Sequence, residues 1–164
     1  MQQEADTTGS SHACSAGASS VLADADALHL AYLGLMGDDR LHDAAARASL
    51  DIAAIRRRAL ECGVRLVVLC GSFAQGAAGP DSDVDIVCEP GPQGFGDFSV
   101  ESAATITVDM HSFEQLGPNS RADVLLTGTP VYEAEPGLFW SARADAIAYM
   151  LRLRKTAQGV GVAR

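Results

Sequence analysis

The stretch VVLCGSFAQGAAGPDSDVDIVCE, residues 67–89, decides how the rest of the chain is read. It opens on an apolar β-branched run, extended backwards by Val64, Arg65 and Leu66, and closes on a second one, Val84 to Cys88. Both are short and bounded by glycine, proline or charge, which predicts two strands, the first covered on both faces. Between them lies a loop rich in glycine with a single proline, and the chemistry-bearing residues stand at its two ends. Gly71-Ser72 ends the first strand, where glycine lets a phosphate approach the backbone, freed N–H groups donate to it and the Ser72 hydroxyl adds a donor. A Gly-Ser pair also serves ordinary turn geometry. Asp83 and Asp85 are two residues apart, so on a strand their carboxylates project from one face and repel each other unless a cation lies between them. Hard oxygen donors so placed suit magnesium, which takes one or two protein carboxylates and fills its remaining positions with water and phosphate oxygens.

A third acid, Asp109, lies within a further alternating run, residues 105–111, read as a third strand. Buried there it would need a cation or polar partner; on a strand edge it would simply face water. Three carboxylates on neighbouring strands would suit a two-metal displacement, with Asp83 and Asp85 shared and Asp109 either holding the metal beside the nucleophile or accepting its proton. Asp81 keeps the same two-residue spacing but follows Gly79-Pro80 and is read as loop. His111 shares the face of Asp109 and reads as an ordinary strand-end histidine, with a role near the nucleophile as the alternative, and His12, His29 and His42 read as surface residues.

Outward from this centre, residues 1–20 are small and polar, the composition of a mobile tail, and residues 159–164 read as a flexible end. Residues 21–35 carry Leu22, Leu28, Leu30, Tyr32, Leu33 and Leu35 in a moderately helical pattern. Residues 41–62 read as one helix ended by Gly63, residues 121–127 as a short helix, 130–132 as an extended piece and 136–155 as a long helix. Residues 89–97 hold three glycines and two prolines and should be irregular. The expected architecture is one α/β (α+β) domain over residues 21–158, a small mixed sheet of about three to five strands covered by helices.

Composition narrows the function classes. The 164-residue chain carries a net charge of −9, which disfavours an extensive nucleic-acid surface. No apolar run reaches the roughly 18 to 20 residues of a membrane span, and no secretory signal is evident, so a cytoplasmic protein is expected. Cys14, Cys62, Cys70 and Cys88 lack metal-ligand spacing and read as free thiols. Arg143, Arg152, Arg154, Lys155 and Arg164 cluster towards the C-terminus, as a docking end or as a solvated helix face. Phe139, Trp140, Ala146, Ile147, Met150 and Leu151 form a stripe at helical spacing that reads as core, with partner docking as the alternative.

Gly71-Ser72, ten intervening residues and Asp83-Val84-Asp85 resemble the G-S-x10-D-x-D signature of the minimal nucleotidyltransferases, within the polymerase-beta-like superfamily. Gly76, Pro80, Asp81 and Ser82 agree with the pattern, and Val131-Tyr132-Glu133 is similar to the short strand that follows the third acid. The resemblance implies a nucleotidyltransferase fold and transfer of AMP from ATP to a hydroxyl, with magnesium, two ions, at Asp83, Asp85 and Asp109 and the nucleotide at Gly71 and Ser72. The size and spacing are most similar to the MntA-like branch, which implies an antitoxin of a type VII toxin-antitoxin pair. Its acceptor there would be a tyrosine on a HEPN-domain toxin. An aminoglycoside-like small-molecule transferase and a non-catalytic partner-binding module are the alternatives. Family members often carry arginine directly after Gly-Ser and two residues later, where this chain has Phe73 and Gln75. The group that balances the triphosphate charge is therefore left open.

Overall fold

A four-stranded sheet in the order β3-β2-β1-β4 organises the molecule, seen in a computed structural model that describes residues 39–159. Two helices lead into it, α1 (Asp39–Arg47) and α2 (Ile52–Glu61), followed by β1 (Leu66–Cys70), a single turn α3 (Gly71–Ala74) and β2 (Val84–Glu89). After an irregular crossing come β3 (Val108–Ser112), a 3-10 turn (Phe113–Gln115), α4 (Pro118–Thr127), β4 (Thr129–Glu133) and α5 (Leu138–Gly159). β1 pairs antiparallel with β2 and β4, and β2 pairs parallel with β3. The mixed sheet and its helical cover are those expected. The expectations for residues 1–20, for the pattern in 21–35 and for the last five residues lie outside the described residues.

Because successive strand residues point to opposite faces, the sheet has two cores. Val67, Leu69, Val84, Ile86 and Cys88 pack with α1 and α2. Leu66, Val68, Cys70 and Val87 pack with Ala122 and Leu125 of α4 and Phe139 and Ala146 of α5. All five β1 residues are buried, as a strand covered on both faces requires. Each fully buried Val, Leu or Phe contributes about 1.5–3 kcal/mol.

Several boundaries differ from those expected. Residues 41–62 are two helices: Ser49 adopts φ 52°, Leu50 bridges to Ser102, and Asp51 caps α2 by accepting the Ala54 N–H at 3.0 Å. Gly63, at φ 67°, closes α2 as expected, and the Val64 N–H reaches back to the Ala59 carbonyl at 2.9 Å. The third strand begins at Val108, three residues late, and α4 begins at Pro118, whose missing N–H costs nothing in a first helical turn. Residues 130–132 belong to β4, a full sheet member. α5 starts at Leu138, where the Glu133 carboxylate accepts the N–H groups of Gly137 and Phe139 at 3.0 and 3.1 Å. An anion there also complements the positive helix end.

The crossing from β2 to β3 contains no helix. It is anchored by buried Phe98 and Val100, by the Arg58–Asp97 ion pair, and by the Ser102 hydroxyl donating to the Ala48 carbonyl at 2.7 Å. Among the described residues, no helix is long and apolar enough to cross a membrane.

Candidate functional site

Asp85 sits in β2 with Cys70 opposite it on β1 and Asp109 opposite it on β3. Paired residues of neighbouring strands share a face, so Asp85 and Asp109 project side by side from the face that carries α4 and α5. Asp83 immediately precedes β2, and its charge is close enough to act on Asp85. Gly71 completes the group. Its φ of 65° is one that L side chains rarely adopt, and a Cβ there would collide with the Asp85 carboxylate, standing 3.0 Å from Cγ. Bare glycine is thus what allows the strand-to-helix corner and the carboxylate to share one space. Ser72 follows in α3, where first-turn N–H groups have no partner within the helix.

The structure thereby gathers Gly71, Asp83, Asp85 and Asp109, with Ser72 adjoining. One sequence argument fails: Asp109 is not buried among core residues. β3 is an edge strand whose residues alternate half-buried and exposed, and Asp109 is exposed. Its place beside Asp85 comes from the parallel register, not from a burial penalty. Asp81 is exposed in a turn, as expected, and His42 is exposed on α1.

The electrostatics are those of crowded acids. Burial first, then Asp109 and Asp83, push the Asp85 carboxyl above its ordinary range, while His111 opposes them. The Cys70 thiol is pushed up to about 12 by burial, then by Asp85 and Asp123. Cys88 rises to about 12 by burial, then through Cys70. These thiols are inert packing groups, and among the described residues all three cysteines are free. Among the same residues, no three His, Cys, Asp or Glu side chains stand ready as a metal cage, and like charges without a cation are expected to splay. The donor set still fits magnesium: hard carboxylates on one face, held in a crowding that a divalent cation would relieve.

His111 shares the face of Asp85 and Asp109, as its spacing from Asp109 indicated, and its charge acts on Asp85. Two further residues around these acids and the Gly71 turn were not legible in the sequence. Asp123 of α4 adds a fourth acid to the neighbourhood through Cys70. Arg47, the last residue of α1, donates to the Phe73 carbonyl at 3.3 Å and lies beside Gly76. It brings a guanidinium to the turn that holds Phe73 and Gln75. The helical ending of α1 in Arg47 was the only available signal, and it specified no partner.

The profile of the nucleotidyltransferase domain family matches residues 52–135, just over half of the chain, and the chain belongs to that family. The matched region spans α2 to the end of β4 and contains Gly71, Ser72 and all three acids. No curated protein sequence matches. Among solved structures, similarity extends to a toxin-antitoxin crystallised with AMP-PNP, at 17% identity and TM-score 0.49, covering 68% of this chain and 95% of that one. A mutant of the MntA-HpeT toxin-antitoxin is similar at 14% identity and TM-score 0.48, over 68% and 95%. A complex of tri-AMPylated Shewanella oneidensis HEPN toxin with MNT antitoxin is similar at 12% identity and TM-score 0.42, over 67% and 95%.

Proposed function

We propose that this chain is a magnesium-dependent nucleotidyltransferase that moves AMP from ATP to a tyrosine hydroxyl of a HEPN-type toxin, acting as its antitoxin. The observation that carries the transfer reading is the register Asp85↔Asp109, which puts the third acid beside the first two. The acceptor rests on the motif spacing and small size that resemble the MntA-like branch.

Asp83, Asp85 and Asp109 would hold magnesium, which when bound polarises the attacking hydroxyl and neutralises the leaving pyrophosphate. The first-turn N–H groups after Gly71 and the Ser72 hydroxyl cradle phosphate oxygens. Arg47 supplies the cation that Phe73 and Gln75 do not. The acceptor oxygen forms its bond to the α-phosphorus, the bond to the bridging oxygen breaks, and pyrophosphate departs. Asp109, exposed at the sheet edge, is positioned towards an incoming acceptor and takes its proton. An open edge suits a protein acceptor better than a small drug, for which an enclosing pocket would be needed.

The test is transfer of α-phosphate-labelled AMP to a HEPN-domain protein, sought first in the neighbouring reading frame. Asp83→Ala, Asp85→Ala and Asp109→Ala should each lower transfer about 10³-fold, on the order of 4 kcal/mol of barrier. Equal labelling by the Asp83→Ala and Asp85→Ala variants would sink the proposal. Pyrophosphate release only when an aminoglycoside is added would move the acceptor to small molecules. Toxin neutralisation by a variant lacking all three acids would make the chain a binding module.

A further inference from the structure

Arg56 of α2 is a buried cation without a counter-charge. It is 9% exposed, and among the described residues its one hydrogen bond runs from Nε to the Val131 carbonyl of β4 at 2.8 Å. No salt bridge among those residues reaches it. Burial pulls its pKa down, and no acid acts to hold it up. A guanidinium carries five N–H donors, and one carbonyl dipole offsets only part of the cost of taking such a charge out of water. No fully enclosed side-chain nitrogen or oxygen among the described residues lacks a partner. The remaining Arg56 donors therefore open onto accessible space.

The space that Arg56 lines is a cavity of about 120 Å³ beside the edge strand β4, shared with Arg40, Ala74, Glu133, Trp140 and Arg143. Trp140 was expected to be core together with Phe139, Ala146, Ile147, Met150 and Leu151. Only Phe139 and Ala146 are buried; Trp140 is 52% exposed and stands at the cavity. Arg143 lies over its ring at 5.5 Å and donates through Nη2 to the Leu126 carbonyl, which screens the negative end of α4. Arg143 also has no salt bridge among the described residues. Among these residues the lining holds one acid, Glu133, whose carboxylate already accepts the N–H groups of Gly137 and Phe139. Two guanidiniums from helices far apart in the chain thus border one small space with donors to spare.

Size and charge define what fits. A dry cavity of about 150 Å³ takes a benzene ring, so this one takes a single small group and excludes a nucleoside. Two cations match a phosphate dianion, and forked guanidinium donors match its oxygens. Neither Gly71, Ser72 nor any of the three acids lines the cavity. β1 lies between β2 and β4, which puts β4 two strand spacings, about 10 Å, from the strand of Asp85.

We propose that the cavity between α2, β4 and α5 is an oxyanion site that takes one phosphate group, free or at the end of a small phosphorylated compound, between Arg56 and Arg143. It is separate from the acid site and does not depend on the transfer reading. Phosphate there supplies the counter-charge that Arg56 lacks and ties α2 to α5 across the edge of the sheet.

Trp140 is the only tryptophan of the chain and reports occupancy through Arg143. Inorganic phosphate, titrated into the magnesium-free full-length protein at constant ionic strength, should change Trp140 emission saturably, with a Kd on the order of 1 mM. At tenfold that concentration it should raise the unfolding temperature by about 5 °C. Arg143→Gln and Arg56→Met should each weaken binding at least about tenfold, with circular dichroism confirming that they fold, whereas Arg47→Ala should bind as the wild type does. Glycerol 3-phosphate binding as well as phosphate would assign the terminal group of a phosphorylated compound; phosphate binding alone would assign the free anion. No saturable response of the wild type would overturn the proposal, and so would undiminished binding by folded Arg143→Gln. Loss of binding in Arg47→Ala would overturn it by placing the phosphate at the Gly71 turn. Acetate binding as tightly as phosphate would overturn it in favour of a carboxylate.

Discussion

The two sides of one sheet treat charge in opposite ways. On the β4 side the cations are tied to the backbone: Arg56 donates to the Val131 carbonyl of β4 at 2.8 Å and Arg143 to the Leu126 carbonyl of α4 at 2.9 Å. Arg143 also stacks near the rings of Phe139 and Trp140, at 6.0 and 5.5 Å. Burial pulls the Arg56 pKa down, and the carbonyl bond is what makes its nearly complete enclosure tolerable. Along β2 and β3, by contrast, Asp83, Asp85 and Asp109 stand together, and among the described residues no salt bridge neutralises them. Pinned charges hold a fold together. Crowded like charges repel and favour a cationic ligand, which is why the acids and not the arginines mark the candidate site.

Gly71→Ala should sharpen that contrast most. Its Cβ would displace the Asp85 carboxylate, and a misplacement of about 1 Å costs roughly 10²-fold in rate. Gly63→Ala is the control: it has the same sign of φ but nothing within 4 Å of the added Cβ, so it should lose about 1 kcal/mol of stability and keep its activity. Similar kcat values for the two variants would break the link between Gly71 and Asp85.

Arg47→Ala and Arg143→Ala then compare an arginine at each side. The first should raise KM for ATP about tenfold, a loss of roughly 1.4 kcal/mol of binding, with recovery in Arg47→Lys. The second should lower the unfolding temperature and leave KM unchanged. A reversed pattern would place the nucleotide on the β4 side.

The smallest effect concerns stability against pH. Asp85 holds its proton more tightly folded than unfolded, so its favourable contribution is present below the ordinary carboxylate range and is lost as pH rises through the raised folded value. Asp85→Asn should therefore unfold roughly 3 °C above the wild type at pH 7, and the gap should close towards pH 3. Magnesium with ATP should stabilise the wild type only. A variant no more stable at neutral pH would show that Asp85 is not strained by its neighbours.

Local signals were read correctly where the physics is local. β1 and β2 were legible because a short apolar run between glycines has few other solutions, and the end of α2 because Gly63 takes a left-handed conformation. The break between α1 and α2 was missed, although Asp51 three residues before Ala54 is an N-cap signal. Apolar periodicity on both sides of Ser49 concealed it. The late start of β3 has a tertiary cause: Thr107 gives only its carbonyl to the Val84 N–H before the ladder begins. For α5, helical spacing identified an apolar stripe but could not tell which of two adjacent faces meets the sheet.

By itself, the sequence determined that Asp83 and Asp85 stand two residues apart at the head of a strand, Asp83 just before β2 and Asp85 within it, and that a glycine corner precedes them, because strand propensity and glycine's backbone freedom act over a few residues. Tertiary structure decided the rest. Asp109 stands beside Asp85 only because the long crossing after Glu89 returns β3 parallel to β2 in the register Asp85↔Asp109, and a shift of one residue would have turned it to the other face. Arg47 reaches the Phe73 carbonyl only because α1 packs against α3. Which charges are pinned and which are left crowded depends on contacts between residues far apart in the chain, and no local pattern encodes those distances.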